Sequence, residues 1–151
     1  MLVSRLRFHF AVILLSTFVS TDAFAGQNYG SVVISKVTSV YDGDTFRANI
    51  PNYPPLIGEN IGIRINGIDT PEVRGKCPKE VSLAKDAQRF AEKTLRSAKV
   101  VELRNLQRGK YFRIVADVYA DGVNVGDQLI KEGLAVVYDG GRKTKDWCKY
   151  E

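Results

Sequence analysis

Residues 61–72 read IGIRINGIDTPE, and the first half of this stretch has the pattern of a β-strand. Ile61, Ile63 and Ile65 recur at every second position, with Arg64 between the last two. Because successive side chains of a strand point to opposite faces, a period of two separates an apolar face from a polar one. We therefore predict a strand that buries its isoleucines and presents Arg64 on the opposite face.

The second half of the stretch brings two carboxylates, Asp69 and Glu72, into one short segment. A structural alternative is that Thr70 caps a helix that begins at the following proline. Gly75 and Pro78 follow closely, however, and favour a loop over a sustained helix. The sequence therefore predicts a strand that leads directly into an acidic loop.

Four more segments are rich in the β-branched and aromatic residues that strands favour. They are SVVISKVTSV (31–40), TFRANI (45–50), KVVELRNL (99–106) and YFRIVADVYA (111–120). In the last segment, alternation predicts that Phe112, Ile114, Ala116 and Val118 point inward and that Arg113 points outward. The Pro/Gly-rich segment NYPPLIGEN (52–60) is predicted to be a loop.

Helical periodicity is present in two places. Alanine and leucine residues recur every three or four positions between Lys79 and Ala98, and Pro78 suits the first turn. A shorter helix is predicted from Asn124, as N-cap, to Gly133, just after the C-cap. The order of three strands, a helix, two strands and a helix predicts an α+β domain that is mainly β. Five short strands around one small core favour a five-stranded OB-fold barrel with two to three helices, since closure removes exposed sheet edges.

Residues 1–25 have the pattern of a secretory signal peptide. Two arginines form a basic start, residues 8–19 are apolar but too few to span a bilayer, and residues 23–25 form an A-x-A cleavage site. An uncleaved N-terminal anchor is the alternative. We expect a cleaved leader, and residues 26–151 as one exported domain, periplasmic or secreted, with no membrane segment and in monomeric form.

The only histidine of the chain is His9, so the predicted mature domain contains none. Ser-His-Asp catalysis, histidine-ligated metal nucleases and paired-histidine ribonucleases are therefore excluded as mechanisms. The formal net charge is +5, and loss of Arg5, Arg7 and Asp22 with the leader lowers it by one. A mildly positive domain suits a polyanionic partner without identifying one.

Cys77 and Cys148 are the only cysteines in the chain. An exported chain meets an oxidising compartment, which makes a disulfide between them the default expectation. Two unpaired thiols are the alternative. A zinc site is a poor interpretation because structural zinc needs four nitrogen or sulfur ligands.

A second pair of acidic residues, Asp42 and Asp44, lies in the segment YDGDT (41–45) between two predicted strands. Asp-Gly is by itself a hairpin-turn signal, and YADGV (119–123) has the same dipeptide and is predicted to be only a turn. The combination with the acidic loop and with strand-borne arginines favours a functional interpretation. Mg²⁺ and Ca²⁺ prefer carboxylate and carbonyl oxygens, and arginine forks match the paired oxygens of a phosphate.

The segments DGDTF (42–46), IRINGIDTPE (63–72) and KYFRIVADVYADG (110–122) resemble the thermonuclease, or staphylococcal nuclease, family, in the order found there. VNVGDQLIKEGLA (123–135) is similar to the segment that follows in that family. The resemblance extends roughly from Val32 to Tyr138. It implies an OB-fold nuclease that hydrolyses DNA, RNA or both with Ca²⁺ and leaves 3′-phosphates.

The resemblance also implies a role for individual residues. Asp44 and Asp69 would be the carboxylate ligands of the catalytic Ca²⁺, and Thr70 would supply its backbone carbonyl. Glu72 would be the general base on the attacking water, or the group that positions it. Asp42 matches an acid near the metal, of secondary weight.

Basic and aromatic residues would contact the nucleic acid in the same way. Arg64 and Arg113 would bind the scissile phosphate and stabilise the charge that develops on it. Lys110 and Tyr111 match positions that line the phosphates of the nucleotide. Tyr138 matches a stacking tyrosine.

This chain departs from the family pattern at several positions. Phe112 stands where the family usually has glycine, and Gly109 where it often has aspartate. The segment 49–60 is longer than in the family, and the basic tail 140–151 ends the chain where a further helix is found in some members.

Two other functions remain open from the sequence. A non-catalytic OB-fold module could bind single strands through a basic groove and aromatic platforms. A secreted Ca²⁺-binding structural module would explain the acidic residues but not the arginines.

Overall fold

The structure is a computed structural model that describes residues 28–149. The predicted signal peptide, residues 1–25, lies outside the described residues. Within residues 28–149, none of the helices is both long enough and apolar enough to cross a membrane.

The described part of the chain forms nine strands and three helices. The strands are β1 (Val32–Val33), β2 (Lys36–Val40), β3 (Thr45–Asn49), β4 (Ile61–Ile65), β5 (Ile68–Asp69), β6 (Val101–Arg108), β7 (Arg113–Ala120), β8 (Val123–Asn124) and β9 (Val136–Val137). The helices are α1 (Pro55–Gly58), α2 (Pro78–Ser97) and α3 (Val125–Lys131).

The main sheet has the strand order β1-β6-β7-β4-β3-β2, and β8 extends it beside β7. Strands β4 and β7 are parallel, whereas the neighbouring pairs β3–β4 and β6–β7 are antiparallel. Register shifts between Val37 and Ser39 and between Arg104 and Gln107 bend the sheet. The sheet curls into an OB-like half-barrel, so the predicted α+β, mainly β fold is confirmed.

The inward faces of the longer strands form the core. Fully buried side chains come from β3, β4, β6 and β7 and include Phe46, Ile63, Ile65, Leu103 and Val118. The predicted alternation of β4 is therefore confirmed, because its isoleucines are buried and Arg64 projects from the other face.

Both predicted helices are present, with boundaries within a few residues of the prediction. Cys77 is the N-cap of α2 and accepts a hydrogen bond from the Glu80 amide, and Pro78 occupies the first turn. Asn124 caps α3 through the Asp127 amide, and Gly133 follows the C-cap with φ +69°. The buried face of α2 is made of small and apolar side chains: Ala84, Ala87, Ala91 and Leu95.

The prediction that Phe112 points inward is wrong. Strand β7 begins only at Arg113, and Tyr111 and Phe112 both have φ +57° in the preceding turn. Two consecutive left-handed residues interrupt the alternation, and Phe112 is 60% exposed. Neither residue is a glycine or asparagine, so no sequence signal indicates this conformation.

Two further segments contain more structure than predicted. The Pro/Gly-rich segment 52–60 is not only a loop, since it contains the short helix α1. The chain after Leu134 forms β9, which pairs antiparallel with β5 and sets Val136 opposite Asp69. This pairing returns the C-terminal tail to the acidic loop.

Candidate active site

Three of the predicted site residues meet where the β2–β3 turn approaches the ends of β4 and β5. Arg64 donates from Nη1 to Asp44 Oδ1 at 2.5 Å and from Nη2 to the Ile68 carbonyl at 3.1 Å. Its Nη2 lies 3.8 Å from Asp69 Oδ1. The guanidinium therefore lies between two buried carboxylates that are distant in sequence.

Local contacts fix the carboxylate of Asp44. Thr45 Oγ1 donates to Asp44 Oδ1 at 2.8 Å, and the Thr70 amide donates to Oδ2 at 3.3 Å. The turn comes this close because Gly43 has no side chain. A Cβ there would lie 2.7 Å from the Ala87 Cβ and 2.8 Å from the Thr70 Cγ2. Gly43 thus brings the acidic turn against both α2 and the acidic loop.

Asp69 has the chemistry of an incomplete cation site. Its side chain is buried, and within residues 28–149 its Oδ1 accepts no hydrogen bond of good geometry, although the Lys143 ammonium lies 2.7 Å away as an ion pair. Burial raises the pKa of Asp69 above its ordinary value, against the lowering effect of Lys143. A buried carboxylate oxygen of this kind is chemically suited to a hard cation, for which the Asp44 carboxylate and the Thr70 carbonyl would be further oxygen ligands.

Asp42 adds a further buried acid beside this pair. Its Oδ1 accepts a hydrogen bond from the Asp44 amide at 3.2 Å. Burial, and then the neighbouring Asp44 carboxylate, raise the pKa of Asp42 to about 7. The turn therefore holds more negative charge than its own hydrogen bonds stabilise.

Lys143 is part of the site, although the sequence did not indicate it. Its Nζ lies 2.7 Å from Asp69 Oδ1 and 2.5 Å from Glu72 Oε1. Burial acts to lower the pKa of Lys143, but the ion pairs with Asp69 and Glu72 outweigh this effect and hold the pKa above its usual value. No local pattern in the tail could have identified this lysine, because the contact depends on the return of the chain through β9.

Glu72 lies in the acidic loop with about half of its side chain exposed. The preceding Pro71 is fully buried and anchors the loop to the core. Lys143 is the only ion-pair partner of Glu72 in the described part of the chain. The Glu72 carboxylate thus has solvent access and is oriented by the Lys143 ammonium group.

The disulfide expected between Cys77 and Cys148 is present, with a Cα–Cα distance of 6.0 Å. It joins the end of the acidic loop to the tail, where Trp147 is buried. Lys79 Nζ donates to the Lys149 carbonyl at 2.5 Å and adds a second connection. Together these contacts hold the tail, and with it Lys143, beside the acidic loop.

Arg113 lies on the same face of the sheet as Arg64. The parallel register pairs Gly62 with Arg113 and Arg64 with Val115, so both arginines project to one side. A Cβ at Gly62 would lie 3.0 Å from the Arg113 Cγ, so the arginine side chain lies across this glycine. Arg113 Nε is buried, and within residues 28–149 it donates no hydrogen bond.

The predicted nucleic-acid contacts lie around this face. The Tyr111 ring centroid lies 5.8 Å from Arg113 Cζ, and the Tyr138 ring centroid lies 6.0 Å from Arg64 Cζ. Lys110 is exposed in the turn before β7. Within residues 28–149, no hydrogen bond or ion pair connects Lys110, Tyr111 or Arg113 with the acidic cluster, so these residues form a second part of the site.

An OB-like sheet with clustered carboxylates and two arginines on one face has the composition of a site that cleaves phosphodiesters. The family described as staphylococcal nuclease homologue matches residues 62–150, and the chain belongs to this nuclease family.

Curated relatives agree with the family. A probable endonuclease, lcl3, of Schizosaccharomyces japonicus is 33% identical over 133 residues, which cover 72% of this chain and 56% of the relative. A probable endonuclease of Schizosaccharomyces pombe is 32% identical over 127 residues, covering 69% of this chain and 55% of the relative. An uncharacterised protein of Methanocaldococcus jannaschii is 29% identical over 154 residues, covering 83% and 72%. The chain spans about half the length of the two probable endonucleases.

Proposed function

We propose that this chain is a calcium-dependent endonuclease that hydrolyses phosphodiester bonds of DNA, RNA or both and leaves 3′-phosphate ends. The observation that carries the proposal is the meeting of Asp44, Arg64 and Asp69 at one point, with Glu72 beside them. The family and the probable endonucleases among its relatives support nuclease activity.

Asp44, Asp69 and the Thr70 carbonyl would hold the calcium ion. These are hard oxygen ligands of the kind that Ca²⁺ accepts in flexible geometry, and Asp69 Oδ1 is a buried oxygen that accepts no hydrogen bond of good geometry from the described residues. A bound divalent cation would polarise the phosphate and acidify water. The excess negative charge around Asp42 supports a cation at this place.

Three side chains supply the general base and the positive charge that the reaction requires. Glu72 takes the proton of the attacking water, since its carboxylate is solvent-accessible and the predicted mature domain has no imidazole. Arg113 binds the scissile phosphate through a guanidinium whose Nε lacks a protein partner. Arg64 holds the Asp44 carboxylate in place and directs positive charge at the phosphate.

Lys110, Tyr111 and Tyr138 contact the substrate around the scissile position. Lys110 attracts the phosphate backbone, and the exposed Tyr111 ring offers a stacking surface beside Arg113. The Tyr138 hydroxyl donates to the Gly141 carbonyl at 2.6 Å, which fixes its ring next to Arg64.

The direct test incubates the oxidised domain, residues 26–151, with plasmid DNA, single-stranded DNA and RNA in Ca²⁺, in Mg²⁺ and in excess chelator. Cleavage is expected with Ca²⁺ and not with chelator, and products should carry 5′-hydroxyls that polynucleotide kinase labels directly. Asp69→Asn should abolish cleavage, and Asp86→Asn, which removes a partly exposed carboxylate of α2, should not. Cleavage that persists in chelator would contradict the proposal, and retention of nucleic acid without cleavage would favour a binding-only module.

We also propose that the protein is exported, cleaved near Gly26 and monomeric. The basic and apolar leader supports export, and the Cys77–Cys148 disulfide suits an oxidising compartment. Cell fractionation with N-terminal sequencing of the accumulated protein tests the site of cleavage, and sedimentation of the same material tests the oligomeric state.

A further inference from the structure

The open end of the half-barrel contains an apolar pocket of about 360 Å³, which we call the barrel-mouth pocket. Its lining includes Ile50 after β3, Ile61 at the start of β4 and Ile114 near the start of β7. Tyr53 and Phe112 also line it, from the loop before α1 and the turn before β7. The departures from the family pattern, the long segment 49–60 and Phe112, therefore meet at one place.

The aromatic and aliphatic side chains of this pocket are unusually exposed for a small domain. Phe112 is 60%, Tyr53 is 50% and Ile57 is 41% exposed, although all three line one concave surface. A contiguous exposed apolar surface of this kind marks a binding site more often than isolated exposed residues do. Its volume falls within the range of ligand pockets.

The conformation of the turn adds an independent observation. Tyr111 and Phe112 are non-glycine residues with positive φ, which is energetically unfavourable and is retained chiefly at functional sites. The turn is fixed by the Gly109 amide, which donates to the Arg113 carbonyl at 2.8 Å. It holds the Phe112 ring at the pocket rather than in the core.

The charges around the pocket indicate what it binds. Arg108 and Arg113 contribute to its lining, and no aspartate or glutamate does. Arg113 also faces the same side of the sheet as Arg64, and its buried Nε has no protein partner in the described chain. One arginine therefore connects the apolar pocket with the phosphate-binding face.

We propose that the barrel-mouth pocket binds one unpaired nucleobase of the substrate strand while Arg113 binds a phosphate of that strand. This inference rests on the proposed function, because it deepens the assignment of nucleic acid as substrate. A base in an intact duplex is stacked and paired, so only a single-stranded or locally opened strand can place a base in the pocket. The pocket is distinct from the surfaces offered by Tyr111 and Tyr138, and it selects unpaired substrate.

The experiment measures binding without cleavage. A fluorescein-labelled single-stranded DNA decamer is titrated with the protein in excess chelator, and fluorescence anisotropy gives the Kd. The measurement is repeated with decamers that carry a single abasic residue at successive positions, and with the duplex. Because stacking of one base on aromatic side chains is worth about five-fold or more in affinity, one abasic position should weaken binding by at least that factor.

Variants assign this loss to the pocket. Tyr53→Ala and Phe112→Asn, whose new residue tolerates positive φ, should each weaken binding of the intact decamer to a similar extent. In these variants the sensitive abasic position should cause little further loss. Leu56→Ala is the matched control, since Leu56 lies in α1 close to Tyr53 and is 82% exposed, but does not line the pocket. Circular dichroism verifies that each variant is folded.

The possible results separate this inference from the proposed function. A loss of affinity at one abasic position that disappears in Tyr53→Ala supports base binding in the pocket. This holds even if the protein fails to cleave, because absence of cleavage would count only against the proposed nuclease activity. If the protein cleaves but wild type and Tyr53→Ala lose the same affinity at every abasic position, the proposed function stands and this inference is wrong. Equal affinity for duplex and single strand, or no detectable binding of either, would also overturn it.

Discussion

Charge balance governs the site at the scale of single residues. Asp42, Asp44, Asp69 and Glu72 place four carboxylates around one point, whereas Arg64 and Lys143 supply two positive charges. With all four carboxylates ionised, the net charge is −2, which one divalent cation would neutralise. Lys143 therefore has two opposing effects, because it orients Glu72 and at the same time reduces the attraction of Asp69 for a metal ion.

We expect Lys143→Met to lower turnover and to tighten Ca²⁺ binding. Loss of the ammonium releases the Glu72 carboxylate, which should decrease kcat by about 10-fold with a smaller change in KM. Removal of a positive charge next to Asp69 should increase Ca²⁺ affinity by roughly several-fold. Isothermal titration with Ca²⁺ and steady-state kinetics measure the two effects. Arg142→Met removes the same charge one residue away and should change neither, and a parallel loss of affinity and kcat in Lys143→Met would indicate only a damaged fold.

Conservative replacements test the proposed catalytic residues at the same scale. Glu72→Gln keeps the shape of the side chain but removes the base, so kcat should fall by about 10²-fold or more. Arg64→Lys and Arg113→Lys keep the charge but lose the planar fork, and each should also reduce kcat/KM strongly. Glu132→Gln, on the exposed end of α3, is the control. Near wild-type turnover in a folded variant would show that the residue has another role.

The raised pKa of Asp42 predicts that the metal-free domain loses stability as the pH rises. Its pKa is 3.8 as a free side chain and about 7 in the folded protein, so between these values the folded state retains a proton that the unfolded state has lost. The stability that the protonated Asp42 side chain contributes is therefore complete below pH about 4 and is lost as the pH rises to about 7.

Asp42→Asn should remove this dependence, since asparagine keeps the acceptor for the Asp44 amide and carries no charge. In chelator the variant should be more stable than wild type at pH 8, by about 1 kcal/mol or more, and the difference should vanish near pH 4. Urea unfolding across this pH range measures it. A difference that stays constant with pH would show that Asp42 does not titrate in this window.

Sequence motifs named most of the residues that meet in the candidate site, and they missed Lys143. Asp44, Arg64 and Asp69 belong to short motifs, and β-strand alternation correctly places Arg64 opposite the buried isoleucines. Lys143 belongs to no local pattern, and its position depends on β9 pairing with β5 and on the disulfide. Contacts between segments separated by about seventy residues in sequence cannot be obtained from periodicity.

At the scale of elements, periodicity predicted the long strands and helices, and it failed where the backbone changes conformation without a sequence signal. Strand β4 and helix α2 have regular apolar spacing and were predicted closely. The turn before β7 uses two left-handed aromatic residues, and the short helix α1 lies in a segment that reads as a loop. Both exceptions border the barrel-mouth pocket, as expected if local regularity is given up for binding.

The turn before β7 leads to a prediction of opposite effects on stability and binding. Phe112→Gly should relieve the left-handed strain and lose few contacts, because Phe112 is 60% exposed. After the entropic cost of glycine, we expect a gain of about 0.5 kcal/mol in the free energy of unfolding. The same variant should bind single-stranded DNA more weakly. Urea unfolding and anisotropy titration measure the two quantities, and a variant that is both less stable and equally tight in binding would contradict the account of this turn.

At the scale of the whole molecule, the C-terminal tail packs against the candidate active site. It lacks a helical face, so nothing in its own sequence explains how it packs. Instead β9 pairs it with β5, Trp147 is buried and Cys148 is bonded to Cys77. One covalent bond thus connects the last described turn of the chain to the loop that carries Glu72.

Reduction of the disulfide should therefore lower both stability and activity. The bond spans 71 residues, and the chain-entropy model gives about 4 kcal/mol for a loop of this size. That is a large share of the stability of a small domain. Release of the tail also frees Lys143 from Asp69 and Glu72, so kcat should fall together with Tm. Thermal unfolding and cleavage assays with and without reductant measure the two effects.

Two serine variants separate the bond from the cap that one of its cysteines provides. Cys77→Ser loses the bond but keeps an N-cap oxygen for the Glu80 amide, whereas Cys148→Ser loses the bond and leaves the cap sulfur in place. Both should therefore resemble the reduced wild type in Tm and in kcat, and reductant should have no further effect on either. If reduction lowers Tm while kcat is unchanged, the tail stabilises the domain without positioning Glu72, and the fall in kcat of Lys143→Met should then be absent as well.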